Sequence, residues 1–256
     1  MAKTTTPVKT TPVWVDMSVA DAGAAITFYS KLFGWKGEPS SDPAYGGYAV
    51  MKLGEKDVAG IGPAQQPGQP AAWSVYIGTD DADAIATKVE AAGGKVVAPP
   101  FEVGDLGRMA VFQDPGGAFI SVWQPAKMAG TQVSGKPNSP GWWELNARGV
   151  DEVKPFYTKV FGWTEKTSKG EQGHPPYTEF QLGGHSIAGA MEMAEMVPAE
   201  VPNHWLVYFS VADVDAATKT ASELGARVAM QPMDYPGGRF SVVIDPQGAA
   251  FGLMSS

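Results

Sequence analysis

Two acidic residues, Asp16 and Glu144, stand at matching places in the chain and could transfer protons. They lie 128 residues apart (144 − 16), and each follows a tryptophan, Trp14 or Trp142, by two positions. Side chains two residues apart on a strand share a face, so each carboxylate is predicted to lie beside aromatic rings. Burial in such surroundings raises the pKa of a carboxyl group toward neutrality, which suits a general acid or base. Asp16 and Glu144 are therefore the candidate catalytic residues.

This register comes from an internal duplication. The stretch Phe28–Trp35, FYSKLFGW, returns as Phe156–Trp163, FYTKVFGW, with six of eight letters identical. A duplication of this length predicts a tandem architecture. Each stretch forms the end of an amphipathic helix that a glycine terminates. Its aromatic residues are predicted to pack on a sheet as core rather than to take part in catalysis.

Four repeats share one order of elements: a strand, a helix, and two or three further strands. Strand patterns open these repeats at 13–19, 73–77, 143–147 and 204–211. The turns Asp114-Pro-Gly-Gly and Asp245-Pro-Gln-Gly join the last two strands of the second and fourth repeats. The predicted fold class is α+β, with four βαβββ repeats joined in two pairs.

The pairs of repeats predict two domains. The predicted boundaries are a flexible N-terminal arm at 1–11, a first domain at 12–125, a linker at 126–140 and a second domain at 141–256. The repeats within the domains span 12–62, 71–124, 141–190 and 203–254. The linker is rich in Gly, Pro and Ser, a composition typical of a connection between domains.

Composition excludes several classes of function. The net charge of −8 without a Lys/Arg cluster argues against binding of nucleic acid, whose phosphates must be neutralised. With no cysteine, the chain can build neither disulfides nor a thiolate zinc site. No apolar run approaches the roughly 20 residues of a membrane span, and Met1 to Pro12 has no apolar signal segment. A cytoplasmic protein that binds neither nucleic acid nor membrane is predicted.

The four repeats, the helix ending in Phe-Tyr-x-x-x-Phe-Gly-Trp and the Asp-Pro-x-Gly turn resemble the vicinal oxygen chelate superfamily. This superfamily includes glyoxalase I, the bleomycin-resistance proteins and the extradiol dioxygenases. The resemblance covers residues 12–254 and is closest to two-domain glyoxalase-like proteins often labelled hydroxylases. It implies that each pair of repeats curls half-barrel sheets around a cavity. In the family's enzymes this cavity holds a divalent metal, which two vicinal substrate oxygens chelate.

The family's metal-ligand positions hold other residue types in this chain. In metal-binding members a His precedes the helix-opening Asp by about seven residues, and a Glu follows the turn Asp by seven. In this chain the His positions hold Trp14, Ser74, Trp142 and Leu206, and the Glu positions hold Ser121 and Gly252. The remaining ligand position falls near Ala59-Gly-Ile61 in the first repeat and Ala188-Gly-Ala190 in the third. A metal needs several N or O donors, which tryptophan, leucine and glycine side chains do not supply. No metal cofactor is therefore predicted.

A displaced metal site is the alternative. Glu144 stands two residues after the empty position at Trp142, and His204 two residues before the one at Leu206. Because the strand period is two, both side chains could share the face of those positions. A divalent metal on Glu144 and His204 would then support glyoxalase-like lyase, isomerase or dioxygenase chemistry.

The predicted cavity walls combine aromatic rings with a few polar groups, which suits a planar or hydrophobic organic ligand. Besides the two acids, strand parity turns inward Trp14, Ser74, Tyr76, Ser121, Trp123, Trp142, Asn146, His204, Tyr208 and Met254. Arg108 and Arg239 each follow a glycine at a strand start. They could clamp an anionic group of the ligand or form an ion pair with a nearby aspartate.

The predicted function is binding of a small organic molecule, either for sequestration and resistance or for metal-independent tailoring by Asp16 or Glu144. The alternatives are the metal-dependent enzyme described above and a structural or regulatory partner protein. Two chains could associate as a homodimer. Fold alone does not choose among these functions, because function depends on the site.

Overall fold

The computed structural model describes residues 9–170, 175–195 and 197–255. The first sheet consists of β1 (Pro12–Val19), β2 (Ala49–Leu53), β3 (Lys56–Pro63), β4 (Ala72–Gly78), β5 (Lys95–Val103), β6 (Gly107–Gln113) and β7 (Phe119–Pro125). The second sheet consists of β8 (Ser139–Ala147), β9 (Thr164–Thr167), β10 (Tyr177–Leu182), β11 (His185–Glu192), β12 (His204–Ser210), β13 (Arg227–Tyr235), β14 (Gly238–Ile244) and β15 (Ala250–Ser255). The helices are α1 (Ala22–Phe33), α2 (Ala82–Ala91), α3 (Val150–Phe161) and α4 (Val214–Glu223).

Both sheets are curved and mixed. Their strand orders are β2-β3-β1-β4-β7-β6-β5 and β13-β14-β15-β12-β8-β11-β10-β9. Hairpin neighbours run antiparallel, whereas β1 pairs in parallel with β3, β4 with β7, and β12 with β15. The predicted α+β class and the pairs of βαβββ repeats are confirmed. In the described ranges, no helix is both long and apolar enough to cross a membrane.

Three elements depart from simple sequence patterns. Strand β5 runs through Pro99 and Pro100, which lie at a register shift between Ala98 and Phe101 on a strand at the edge of the sheet. The strand β9 was not predicted, because its four residues are exposed and lack an apolar pattern. Helix α3 begins at Val150. Gly149, with a φ of 73°, stands at its cap position, where the other three helices have an aspartate.

Contacts divide the chain into two compact units that each take residues from both sequence halves. One unit contains the chain up to Val13, residues 76–129 and residues 145–205. The other contains residues 14–75, residues 130–144 and the chain from Leu206 onward. Helices α2 and α3 lie in the first unit, and α1 and α4 in the second. The domain boundaries of the sequence analysis stay a prediction.

A buried hydrogen-bond chain organises the core of each unit. In the unit with α1, the indole N–H of Trp73 donates to the Tyr29 hydroxyl, which donates to Asp245 over 3.0 Å. In the other unit, Trp205 donates to Tyr157, which donates to Asp114 over 2.6 Å. A tyrosine of each repeated helix thus donates to the aspartate of an Asp-Pro-x-Gly turn: α1 to the turn at Asp245 and α3 to the turn at Asp114.

The aromatic residues of the repeated stretch are core, as predicted. Tyr29, Phe33 and Trp35 are at most 1% exposed, and Tyr157 is fully buried. Burial raises the pKa of both tyrosine hydroxyls well above the usual value, so these groups act as hydrogen-bond donors and not as acids.

Candidate functional site

The first predicted acid, Asp16, lies on β1 within a hydrogen-bonded chain of three side chains. The indole N–H of Trp14 donates to the hydroxyl of Tyr48 over 2.9 Å, and this hydroxyl donates to Asp16 Oδ2 over 3.2 Å. Trp14 is 4% exposed, while Asp16 and Tyr48 are half-buried. We call Trp14, Asp16, Tyr48 and Gly60 the Asp16 cluster. The hydrogen bond from Tyr48 helps to fix the orientation of the Asp16 carboxylate.

Gly60 is the reason that Tyr48 can reach Asp16. It lies on β3 directly opposite Asp16, within the segment Ala59-Gly-Ile61 near which the resemblance predicts a metal-ligand position. A Cβ atom added to Gly60 would lie 1.7 Å from the Tyr48 hydroxyl and 2.9 Å from the Cβ of Asp16. No side chain can stand at position 60 while Tyr48 keeps its place.

The second predicted acid, Glu144, has an equivalent partner on a different strand. Glu144 is 6% exposed on β8, and the hydroxyl of Tyr208 on β12 donates to its Oε1 over 3.0 Å. Tyr208 lies opposite Gly252 in the parallel pair of β12 and β15. A Cβ at Gly252 would lie 2.0 Å from Cδ1 of that ring. Here too, a tyrosine covers a glycine, which in this case stands at a predicted ligand position.

Aromatic side chains extend from Tyr208. Its ring meets Phe240 edge-on at 6.1 Å, and Phe240 meets Tyr235 edge-on at 5.8 Å. Glu144, Tyr208, Gly252, Phe240 and Tyr235 form what we call the Glu144 cluster. These edge-to-face ring pairs therefore lie next to the buried carboxylate of Glu144.

The other predicted site residues of the first half lie on β4 and β7. Tyr76 and Ser121 are buried directly opposite each other in the parallel pair of these strands, and Ser74 is half-buried. The ring of Trp123 covers Gly107, and its indole N–H donates to the carbonyl of Met128 over 2.8 Å. This bond fixes the ring of Trp123 in one orientation.

The predicted residues of the second half occupy three strands. Trp142 and Asn146 are half-buried on β8, and Met254 is half-buried on β15 opposite Phe240. His204 opens β12, and its Nδ1 lies 2.9 Å from the carbonyl oxygen of Pro202. A carbonyl only accepts, so Nδ1 carries the hydrogen.

Both predicted anion clamps are held by carboxylates. Arg108 lies 2.6 Å from Asp83 and 3.0 Å from Glu102. Arg239 lies 2.7 Å from Asp215 and 2.8 Å from Asp234. Both arginines therefore adopt the ion-pair alternative of the sequence analysis, which leaves little positive charge for a ligand anion.

The side chains of the two clusters do not fit the family's metal site. In the part of the chain that the structure describes, no group of three or more His, Asp or Glu residues could hold a metal ion. Tyrosine rings cover Gly252, which is one predicted ligand position, and Gly60, which lies in the segment near another. A divalent metal requires several converging donors, and the contacts described at each cluster include one carboxylate and one phenol.

Three residues of the clusters were missed by the sequence analysis: Tyr48, Tyr235 and Phe240. The sequence does contain a sign of Tyr48. When the segments that precede Gly54 and Gly183 are aligned, Tyr48 pairs with Tyr177 of the third repeat. No sequence pattern marks Tyr235 and Phe240 as site residues. They flank a turn, and their contact depends on the pairing of β13 with β14.

Two surface grooves lie away from the predicted residues. One, of about 420 Å³, is lined by Pro115, Arg148, Glu152, Val201 and Asn203 among others. The guanidinium group of Arg148 donates to three loop carbonyls there. The other, of about 310 Å³, lies between α1 and the turn after Asp245. None of the predicted site residues lines either groove.

Comparison with known proteins identifies relatives over the whole length. A model of the Glyoxalase/Bleomycin resistance protein/Dioxygenase superfamily matches residues 11–122 and 123–253. The anthracycline biosynthesis protein DnrV of Streptomyces peucetius is 39% identical over 259 residues, covering 95% of this chain and 92% of DnrV.

Solved structures share the fold at lower identity. The Mn(II)-bound glyoxalase from Novosphingobium aromaticivorans superposes with a TM-score of 0.67 at 20% identity, covering 98% of this chain and 83% of that one. The 2,3-dioxygenase LapB from Pseudomonas sp. KL28 gives 0.66 at 16% identity, covering 98% and 94%. At such identities the likeness is one of fold.

Proposed function

Because the chain belongs to the glyoxalase, bleomycin resistance protein and dioxygenase superfamily, we propose that it binds a small aromatic molecule without a metal cofactor. The observation that supports the proposal is that tyrosine rings cover two glycines, Gly252 and Gly60. Gly252, and the segment Ala59-Gly-Ile61 that contains Gly60, are where the resemblance predicts metal ligands. Each tyrosine directs its hydroxyl at an acid, Asp16 or Glu144. The binding surface is thus a carboxylate framed by rings.

The class of ligand follows from the rings and from the relatives. Trp14 and Tyr48 at one cluster, and Tyr208 and Phe240 at the other, favour a planar molecule that stacks. A relative in anthracycline biosynthesis, DnrV, makes polycyclic aromatic compounds the first class to examine. Binding would serve sequestration of the compound or its tailoring, with Asp16 or Glu144 as general acid or base.

The test is a binding assay with a set of hydroxylated polycyclic quinones, read out by quenching of tryptophan fluorescence and by isothermal titration after treatment with a chelator. We expect saturable binding that chelation leaves unchanged. Asp16→Asn with Glu144→Gln should weaken it at least about tenfold, a loss of one charged hydrogen bond. Equal binding by the double variant and the unaltered protein would contradict the proposal.

The metal-dependent alternative rests on His204. Burial, together with the positive charge of Arg148, lowers the pKa of its imidazole, and Nδ1 bonds to Pro202, so Nε2 is the nitrogen that could bind a metal. Elemental analysis after exposure to zinc, nickel, manganese and iron(II), followed by desalting, separates the two functions. About one equivalent of metal that Glu144→Ala abolishes would favour the alternative; less than about a tenth of an equivalent would exclude it.

A further inference from the structure

The larger surface groove, beside the start of α3, is a second candidate binding site, separate from the Asp16 and Glu144 clusters. Its volume of about 420 Å³ is in the usual range for small-molecule sites. We propose that it binds a small zwitterion, with the carboxylate group of the ligand at Arg148 and the ammonium group at Glu152. All of its lining residues belong to the compact unit that contains α2 and α3.

The walls of this groove are largely apolar and closely packed. Val153 of α3 lies on one side, Pro115 and Gly116 of the turn after Asp114 on another, and Val201 of the loop before β12 on a third. A Cβ atom added to Gly116 would lie 2.7 Å from the Cγ2 methyl group of Val153. The turn and the helix are therefore in direct contact, and the groove offers a preformed surface for the apolar body of a ligand.

Arg148 brings a positive charge to the groove. Its Nη1 donates to the carbonyl of Val201, and its Nη2 to the carbonyls of Val197 and Pro198. Its backbone N–H donates to the side chain of Asn203 over 2.8 Å. Among the described residues the guanidinium group is thus bonded to carbonyls and to no carboxylate, so its charge is not neutralised by an acid. Three bonds use at most three of its five N–H groups, and at least two remain for the carboxylate of a ligand.

Glu152 brings a negative charge to the same groove. It lies exposed in the first turn of α3. The lysine of that helix nearest to it, Lys154, pairs instead with Asp151 and Glu165. Within residues 9–170, 175–195 and 197–255, Glu152 forms no ion pair, with Arg148 or with any other cation. An ammonium group of a ligand can therefore bond to Glu152 without displacing a protein cation.

The duplication shows that the fold does not require this pair of charges. A shift of 128 residues places Ala20 and Ala24 at the positions of Arg148 and Glu152 (148 − 128 and 152 − 128). The equivalent groove, between α1 and the turn after Asp245, is lined by Ala24 where the other has the acid. Both grooves form, although only one holds a guanidinium group and a carboxylate at these positions. The pair of charges is thus a property of one groove and not of the architecture.

The experiment compares four ligands that share a chain of six carbon atoms. 2-Aminohexanoate and 6-aminohexanoate are zwitterions that differ in the separation of their charges, hexanoate has only the carboxylate, and hexylamine has only the ammonium group. Each is titrated into the ¹⁵N-labelled full chain at pH 7 and low salt, and the amide signals of Gly116 and Asn203 report binding in the groove. We expect at least one zwitterion to bind about fivefold or more tightly than either single-charge ligand, the effect of adding one ion pair at a protein surface.

A variant assigns the ammonium contact. Glu152→Gln keeps the size of the side chain and removes its charge, so the zwitterion should lose most of its advantage over hexanoate. Glu200→Gln is the matched control, because Glu200 is exposed in the loop before β12 but does not line the groove, and it should leave the advantage unchanged. Arg148 stays unaltered because it also holds the loop, so the comparison with hexylamine tests the carboxylate contact. Circular dichroism verifies folding of both variants.

Three results would overturn the inference. They are the absence of any change in the groove amides with both zwitterions, a single-charge ligand that binds as tightly as the better zwitterion, and an advantage that Glu152→Gln leaves intact. Binding of the hydroxylated quinones should be the same in Glu152→Gln and in the unaltered protein, because the groove lies apart from both clusters. The proposed function and this inference can therefore fail separately.

Discussion

At the scale of residues, glycine and tyrosine form complementary pairs at both clusters. Tyr48 lies over Gly60, and Tyr208 over Gly252, at distances that leave no room for a Cβ atom. A close-packed protein interior does not absorb an added methyl group without displacing a neighbour. The glycines therefore fix the tyrosines, and the tyrosines orient the acids.

Substitution of Gly252 by alanine tests this packing. We expect Gly252→Ala to lower the free energy of unfolding by about 1–3 kcal/mol, because the new methyl group overlaps the Tyr208 ring. Gly23→Ala in α1 has only an ordinary contact and should raise stability by up to about 1 kcal/mol. Urea unfolding measures both. In a double-mutant cycle, Gly252→Ala should lower the free energy of unfolding less in the Tyr208→Ala background than in the unaltered protein. If the two losses of free energy simply added, the overlap would be contradicted.

Asp114 gives a prediction about pH. Burial raises the pKa of this carboxyl group even though Tyr157 and turn N–H groups donate to it. The folded state thus holds the proton more tightly than the unfolded state, where the pKa is about 3.9. The contribution of Asp114 to stability is full below that pH and is lost as pH rises through the raised pKa. Urea unfolding from about pH 3.5 to 6 should therefore show the advantage of the unaltered protein over Asp114→Asn shrinking.

Asp215 is the control of opposite sign. The hydrogen bond from Arg239 lowers the pKa of this carboxyl group, so its contribution is present above the ordinary pKa and is lost as pH falls. The advantage of the unaltered protein over Asp215→Asn should grow over the same rise in pH. If the stability difference from the unaltered protein changed with pH in the same direction for both variants, the opposite pKa shifts of Asp114 and Asp215 would be contradicted.

At the scale of elements, the helices show which local signals the sequence carries. Asp21, Asp81 and Asp213 immediately precede α1, α2 and α4, and each accepts a hydrogen bond from a first-turn N–H at 2.9 Å. Helix α3 follows Gly149 and has no side-chain cap. No capping side chain therefore marks in the sequence where α3 begins.

Removal of a cap tests the contribution of one helix start. Asp81→Ala should lower the free energy of unfolding by about 1 kcal/mol, because the N–H of Ala84 loses its acceptor. Glu90→Ala, at an exposed position of the same helix, is the control and should change stability by less than about 0.5 kcal/mol. Thermal and urea unfolding give the comparison, and equal effects of the two substitutions would argue against the cap.

At the scale of the whole molecule, the two copies of the repeated stretch end in tryptophans bonded to distant backbone. The indole N–H of Trp35 donates to the carbonyl of Asn138, in the segment predicted as linker. That of Trp163 donates to the carbonyl of Thr10, and the Thr10 hydroxyl donates to Phe161. Thr10 belongs to the predicted N-terminal arm, of which residues 1–8 lie outside the described residues.

Truncation tests this role of the arm. Deleting residues 1–11 should cost about 1–3 kcal/mol of stability, because the buried indole N–H of Trp163 loses its acceptor. The chain that lacks residues 1–8 is the matched reference, so the difference between the two deletions measures the contribution of residues 9–11. Urea unfolding followed by tryptophan fluorescence compares the two. Indistinguishable midpoints would show that Thr10 contributes nothing measurable.

The sequence was sufficient for the architecture and insufficient for the site. Element order, helix caps and the superfamily follow from local patterns and from a duplication in fixed register, which need no tertiary information. Asp16 and Glu144 could be singled out in the same way, and their role stays a prediction. The tyrosine partners could not, because Tyr48 lies 32 residues from Asp16 and Tyr208 lies 64 residues from Glu144.

The sequence by itself determined that this chain is a fourfold repeat of a βαβββ element with acids in matching places. Only the tertiary structure decided what those acids contact, which charges the two arginines neutralise, and how each compact unit combines both sequence halves. The physical reason is the sequence separation over which each kind of contact acts. Caps, turns and periodicity arise between residues a few positions apart, whereas a phenol over a glycine depends on the register of strands that the chain joins only after folding.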